Sequence, residues 1–187
     1  MTRIYNRILV VFLALSFAGT AYAEGGDQGS LEVRIKDHRE AIADFSKLTL
    51  TIAEILISPK PGLKFWRTGW KSLTPTAQSI DLTKYVGKNS VSIFQDKLAS
   101  GSFDAINLKL KQIEGTLKAK QRNSPVKNLL APVKLPFNVQ AGGATVIVLD
   151  LMVLDMSDHP PQGYELGLNG YEVYSNGKLV DKIPPGP

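Results

Sequence analysis

The chain has 187 residues, no cysteine, a formal net charge of +5 and 43% hydrophobic residues. The lack of cysteine excludes a disulfide framework, a cysteine nucleophile and a lipid-modified cysteine. Stability must come from packing, and a chain of this size buries roughly 70% of the surface that its unfolded form exposes.

Residues 1–23 have the pattern of a secretory signal peptide. Arginines precede an apolar run from Ile8 to Ala18, and Ala21-Tyr22-Ala23 supplies the small residues of a cleavage site. The run is shorter than the roughly 20 apolar residues that a membrane-spanning helix needs. We expect cleavage before Glu24, leaving residues 24–187 as one soluble, exported domain in the periplasm or outside the cell.

Alternating and apolar stretches predict an all-β chain. LEVRIK, residues 31–36, alternates between apolar and charged residues as a half-buried strand does. Asp37 is predicted to cap one short helix after this strand, because Glu40 stands three residues later, as in a capping box. Further strands are predicted in LTLTIAEILI, KSL, SIDLTKYVG, VSIFQDKL, SFDAINLKLK, GTLKAK and VKLPFNV.

The last third of the chain predicts a central strand and a terminal hairpin. ATVIVLDLMVL is apolar at nearly every position, which is typical of a strand covered on both faces. Asn176-Gly177 predicts a type I′ turn, because both residues accept positive φ angles, and Pro184 and Pro185 then end the last strand. The predicted fold is an antiparallel β-sandwich with one short helix and a C-terminal β-hairpin.

The order of these pieces resembles the bacterial exported family known as domain of unknown function 4382. The resemblance rests on LEVRIKD, LTLTIAEILI with GWKSLTP, IDLTKYVG, LASGSFDAINLKL, and VIVLDL with YELGLNGYEV. It implies an immunoglobulin-like or transthyretin-like β-sandwich and brings no catalytic residues. Relatives commonly have a lipobox cysteine, and Asp-Ala-Pro after the first strand. Here the cysteine is absent, and that turn reads Asp37-His38-Arg39.

Aspartate and histidine residues in two predicted loops form a candidate metal site. Carboxylate and imidazole ligands suit zinc or manganese, and carboxylates alone suit calcium, but the spacing matches no standard motif. The alternative is an ordered turn, in which Ser157 and Asp158 hydrogen-bond to nearby backbone amides, and the abundance of such residues in turns favours it. The candidate ligands are Asp37, His38, Asp155, Asp158 and His159.

Catalytic motifs are few. The chain has no G-x-S-x-G elbow and no phosphate-cradling glycine loop, and only two histidines are available as bases. The sequence therefore favours a protein that is not an enzyme.

The segment FWRTGW is a candidate contact loop, because exposed aromatic faces serve many sandwich domains in holding sugars or proteins. Its candidate binding residues are Phe65, Trp66, Arg67 and Trp70. Trp66 is the better candidate for exposure. Trp70 stands directly before KSL, and its favoured interpretation is packing into the core, with Phe65 beside it.

A second candidate surface is basic. Lys109 and Lys111 alternate with leucines that are predicted to enter the core. Lys118 and Lys120 alternate in the same way, and one possible arrangement places them on the partner strand of a hairpin. The functional interpretation is a patch for an anionic envelope polymer. The alternative, which we favour, is a solvated sheet face whose lysines discourage aggregation. Export and the lack of interleaved aromatics exclude nucleic acid as a partner.

The sequence thus predicts an exported, non-catalytic binding or interaction module of the bacterial cell envelope. Its expected partner is a protein or an envelope glycan, and the cleaved protein is not expected to be an integral membrane protein. The alternative is a metal-binding or metal-dependent protein that uses loop Asp and His residues, with a divalent metal as its cofactor.

Overall fold

The computed structural model describes residues 27–61, 69–119, 121–158 and 163–183. Strands make up 69% of the structure and helical turns 5%. The prediction of an all-β chain is therefore confirmed. The predicted signal peptide lies outside the described residues, as do Phe65, Trp66, Arg67, Lys120, His159, Pro184 and Pro185.

Two long strands, Phe45–Pro59 and Gly101–Leu117, contribute 15 and 17 residues and pair with each other antiparallel. Short 3-10 turns lie at Ala41–Asp44 and Leu82–Lys84, and no helix in the described ranges is long and apolar enough to cross a membrane. The strands are β1 (Gln28–Asp37), β2 (Phe45–Pro59), β3 (Lys71–Leu73), β4 (Ser79–Asp81), β5 (Val91–Ala99), β6 (Gly101–Leu117), β7 (Asn123–Ser124), β8 (Val126–Asn128), β9 (Val133–Val139), β10 (Ala144–Asp155), β11 (Tyr164–Ser175) and β12 (Lys178–Ile183).

The strands form two sheets. Sheet A has the order β12-β11-β10-β1-β5, with β8 beside β11, and sheet B has the order β3-β2-β6-β7, with β4 beside β2 and β9 beside β6. The predicted central strand, β10, lies between β1 and β11. Its pairing with β1 is parallel, as is that of β8 with β11, so the expectation of wholly antiparallel sheets is wrong. Strands that are far apart in sequence are not joined by a short hairpin, so they can pair in the parallel as well as the antiparallel direction.

The inward faces of both sheets share one hydrophobic core. Leu31, Val33 and Ile35 of β1 are fully buried, as their alternation predicts, and they cluster with side chains of sheet B such as Leu48 and Ile106. Each fully buried side chain of this size contributes about 1.5–3 kcal/mol relative to an exposed one. Because their inward side chains are fixed in this core, β1 and β10 hold the side chains of their outward faces in defined positions.

The structure corrects the predicted lysine hairpin. SFDAINLKLK and GTLKAK do not form two strands, because residues 101–117 run as one strand, β6. Gly115 continues the strand where Phe45 packs closely against it. Thr51 pairs with Gln112 and Ile52 with Leu110, so Lys111 is the extra residue of a bulge.

The turns after β1 and β4 also differ from the prediction. The 3-10 turn begins at Ala41, with Glu40 before it and no side-chain cap. Asp37 does not cap it, because this side chain is buried and accepts a hydrogen bond from the Arg39 N–H. In SIDLTKYVG the strand stops at Asp81, whose carboxylate accepts the Thr83 N–H.

The predicted C-terminal hairpin is present between β11 and β12. Asn176 and Gly177 have φ angles of 49° and 77°, the left-handed conformations that a type I′ turn needs. Asn176 Oδ1 also accepts the Ala144 N–H at 2.9 Å, which ties the turn to the start of β10.

Candidate functional site

A cleft of about 300 Å³ lies on sheet A at the end of β1, and we call it the Lys36 cleft. Lys36 alternates with the buried Ile35, so its side chain leaves the face of β1 opposite the core. The cleft reaches across β10 and β11 to the edge strand β12 and is bounded by the loop after the second 3-10 turn. Its lining residues are Lys36, His38, Arg39, Gly87, Lys88, Asp150, Tyr171, Glu172, Lys182 and Ile183.

An ion-pair network forms the floor of this cleft. The Lys36 ammonium lies 3.8 Å from Asp150 Oδ2 and 3.3 Å from Glu172 Oε1. The Lys182 ammonium lies 3.7 Å from the same Glu172 oxygen. The Lys36 side chain is only 15% exposed and that of Asp150 only 11%, so water screens the charges weakly and the pairing fixes their positions.

Glu172 is the best-stabilised carboxylate of the network. Its Oε2 accepts a hydrogen bond of 2.6 Å from the Tyr174 hydroxyl. Burial acts to raise the pKa of the Glu172 carboxyl, but the Tyr174 hydrogen bond and the charges of Lys36 and Lys182 outweigh it, so the pKa lies below its ordinary value. Glu172 therefore remains an anion, and the two lysines compensate its charge.

His38 follows β1 and faces the same network. Its Nδ1 lies 3.4 Å from Asp150 Oδ2, and its main-chain N–H donates to the Leu151 carbonyl. The other oxygen of Asp150, Oδ1, is buried and has no hydrogen-bond partner among the described residues. His38 thus belongs with Asp150, a pairing that the sequence analysis did not predict.

Asp37 ties the cleft to the loop at residues 85–88. Its N–H donates to the Tyr85 carbonyl, its carbonyl accepts the Gly87 N–H, and its Oδ1 accepts the Arg39 N–H at 2.8 Å. Burial is the largest cause that raises the pKa of Asp37 to about 6; the Arg39 hydrogen bond opposes the rise and the Asp150 charge adds to it. Asp37 is therefore a buried anchor of the turn.

The residues predicted as metal ligands do not come together in the described part of the chain. Asp37 pairs with Leu151, and Asp155 lies four residues further along β10, a distance of about 13 Å. No group of three His, Asp or Glu side chains within the described ranges is arranged to hold a metal ion. A site that includes His159 stays a prediction, since His159 lies outside these ranges.

The stretch DMSDHPPQG begins as an ordered turn. Asp155 Oδ1 accepts the Ser157 N–H at 2.9 Å, and the Met156 N–H donates to the Gly163 carbonyl. The carboxylate of this local hydrogen bond is Asp155 and not Asp158, which is exposed. Aspartate side chains commonly bond the backbone two residues on in this way.

Trp70, expected in the core, is instead 45% exposed. The residue that enters the core from this segment is Leu73, which is 4% exposed and lies at the end of the three-residue strand β3. A short edge strand of this kind aligns only a few side chains with the core. Trp70 is therefore an exposed aromatic residue beside the candidate loop.

The predicted basic surface is exposed where the structure describes it. Lys109, Lys111 and Lys118 all face solvent, and Lys109 lies 3.6 Å from Glu54 on the neighbouring strand β2. The Lys118 N–H donates to the Asp44 carbonyl just beyond the end of β6. These lysines do not reach the Lys36 cleft, whose lining comes from other elements.

Sequence reasoning missed most of the cleft. The available signal was Asp150, the one charge within the otherwise apolar stretch ATVIVLDLMVL. A carboxylate in a central strand must find a partner, because burial of an unpaired charge is costly. That partner comes from Lys36 and His38, which the parallel pairing of β1 and β10 places beside it.

Comparison with known protein families finds a match over most of the chain. Residues 28–166 match the family described as Domain of unknown function (DUF4382), which covers more than half of the chain. No curated protein and no solved structure matches the chain. The resemblance drawn from the strand order is confirmed, and the chain belongs to the DUF4382 family.

Proposed function

We propose that the chain is an exported, non-catalytic binding module of the bacterial cell envelope and that the Lys36 cleft is its binding site. The two sheets are taken as an immunoglobulin-like β-sandwich that acts as a rigid scaffold for recognition surfaces. Residues 1–23 contain arginines, then an apolar run, then small residues. This order is typical of a signal peptide and supports export into the periplasm or beyond.

The observation that carries this proposal is the preformed floor of the cleft. Lys36 pairs with Glu172 across β10, and Glu172 also contacts Lys182 of β12 and Tyr174 of its own strand. Binding sites for small ligands are typically concave and largely formed before the ligand arrives, with a few fixed polar groups. The cleft has this character.

Binding is favoured over catalysis by the kinds of residue that line the cleft. Within the described ranges the lining includes no serine, threonine or cysteine that could attack a substrate with His38 as its base. Lys36 and Lys182 are engaged in ion pairs with the carboxylates of the floor. The groups present are suited to recognise charge rather than to form covalent intermediates.

Export is tested by expressing the full chain in a Gram-negative bacterium and determining the N-terminus of the recovered protein. We expect the periplasmic fraction to contain protein that begins at Glu24. Full-length protein that stays in the cytoplasm would contradict export.

Binding is tested by sedimenting the recovered protein with washed cell-envelope fragments. Lys88→Glu alters the rim of the cleft, and Lys97→Glu makes the same charge change on β5, outside the cleft. We expect the wild type and Lys97→Glu to sediment with the fragments and Lys88→Glu to sediment less. Equal losses for both variants, or a wild type that stays in solution, would contradict the proposal.

A further inference from the structure

The floor of the Lys36 cleft is electrically balanced, and its rim is not. Asp150 and Glu172 carry two negative charges, which Lys36 and Lys182 balance through the contacts of the network. Arg39 and Lys88 also line the cleft, and neither takes part in a salt bridge among the described residues. Two positive side chains without an ion-pair partner among the described residues therefore lie where a ligand would enter.

Arg39 is held in an unusual conformation. Its φ angle is 88°, in the left-handed region that residues other than glycine rarely adopt. The buried Asp37 carboxylate accepts the Arg39 N–H and stabilises this turn. Backbone strain of this kind persists where the surroundings over-determine it, and it concentrates at functional sites.

Gly87 provides the space for the Arg39 side chain. A Cβ atom at Gly87 would lie 2.5 Å from Nε and from a terminal nitrogen of the Arg39 guanidinium. Gly87 also has a positive φ angle, 69°, and its N–H donates to the Asp37 carbonyl. The guanidinium thus packs against bare backbone at the rim, in a loop that two backbone hydrogen bonds tie to Asp37.

We propose that the Lys36 cleft binds a phosphate group of a small polar ligand, with the Arg39 guanidinium as its principal contact and Lys88 beside it. These two unpaired cations match the charge of a phosphate monoester, which approaches −2 at neutral pH. An arginine fork binds phosphate oxygens through two parallel hydrogen bonds, which a point charge cannot reproduce. This inference rests on the proposed function, because it names the ligand class of the same cleft.

The acidic residues of the floor do not prevent this binding. Asp150 and Glu172 are engaged by Lys36, and Glu172 also by Lys182 and the Tyr174 hydroxyl. A phosphate at the rim meets Arg39 and Lys88 first, with a neutral ion-pair network behind them. The volume of about 300 Å³ fits a small ligand such as a sugar phosphate or a lipid headgroup.

The test is an amide NMR titration of the isotope-labelled chain with inorganic phosphate, up to about 50 mM at constant ionic strength. We expect saturable shifts at the Gly87 and Lys88 amides. Arg39→Gln should weaken the apparent affinity at least roughly tenfold, and Arg39→Lys, which keeps the charge and loses the fork, by several-fold. Lys97→Gln, an exposed lysine outside the cleft, should titrate as the wild type does.

Further ligands distinguish the anion and its source. Glycerol 3-phosphate should bind more tightly than acetate or glucuronate, and equal affinities would show that the cleft does not distinguish phosphate from carboxylate and would overturn the proposal. Binding to vesicles of phosphatidic acid, but not of phosphatidylcholine, would identify a lipid headgroup as the source, whereas binding of glycerol 3-phosphate alone would identify a soluble one.

The outcomes separate this inference from the proposed function. Shifts that are absent, or that do not depend on Arg39 in variants with an unchanged folded spectrum, would overturn phosphate binding while sedimentation with envelope fragments could still hold. Phosphate binding without sedimentation would uphold the phosphate site and contradict the envelope role.

Discussion

Lys36 on β1 and Glu172 on β11 form an ion pair of 3.3 Å across the intervening strand β10. The two residues are far apart in sequence and on strands that do not pair with each other. Their contact depends on the position of β10 between them, where Asp150 pairs with Lys36 and Val148 with Glu172. This ion pair links three strands of sheet A and sets the floor of the candidate site.

Replacement of Lys36 by methionine should lower the free energy of unfolding by about 3 kcal/mol, because it leaves two largely buried carboxylates without their shared cation. Chemical denaturation at pH 7 measures the change. Lys84→Met is the matched control, since Lys84 is 71% exposed and its ion pair with Asp81 should contribute less than about 1 kcal/mol. Similar small losses for both variants would show that the network does not stabilise the fold.

Asp37→Asn should flatten the pH dependence of stability between about pH 4 and pH 6. The folded pKa of about 6 exceeds the ordinary value of 3.8, so the folded state holds a proton that the unfolded state releases. Stability from this group is full below pH 3.8 and falls by about 3 kcal/mol as the pH rises through 6.

This dependence is measured as the difference in unfolding free energy between the wild type and Asp37→Asn at several pH values. Asparagine retains an oxygen that can accept the Arg39 N–H, so the turn should survive. Asp96→Asn, at an exposed aspartate, is the control. A difference that stays constant with pH would show that Asp37 titrates as an ordinary carboxyl.

Gly115→Ala should destabilise the fold by about 1–3 kcal/mol, because the added methyl group would overlap the ring of Phe45. Phe45 is 1% exposed, so the ring has little room to move. Gly167→Ala on β11 is the control, since no atom lies within 4 Å of its Cβ position, and it should change stability by less than about 0.5 kcal/mol. Thermal unfolding of both variants gives the comparison, and equal melting temperatures would contradict the close packing of Phe45.

Trp70→Ala should cost less than about 1 kcal/mol, because the side chain is 45% exposed, whereas Leu73→Ala should cost about 2–5 kcal/mol. Denaturant unfolding of the two variants tests the correction made to the sequence-based expectation. If Trp70→Ala proved the more damaging of the two, Trp70 would have to pack more tightly than its exposure indicates.

Local sequence patterns were sufficient to predict those parts of the protein that depend on a few neighbouring residues. The alternation of LEVRIK placed Leu31, Val33 and Ile35 in the core, and Asn176-Gly177 determined the turn of the terminal hairpin. Strand periodicity and turn chemistry act over a few residues, so both can be read without knowledge of the fold. The strand order was also sufficient to identify the family.

Which charged residues contact each other depends on the tertiary fold. The parallel pairing of β1 and β10 brings Lys36 and His38 to Asp150, and it leaves Asp155 about 13 Å further along the strand. A sequence gives the spacing of charges along the chain, whereas their partners depend on which strands become neighbours and in which register. For that reason the acidic residues around Asp155 are neighbours in the sequence, whereas the cleft forms around Asp150, a single aspartate in an apolar strand.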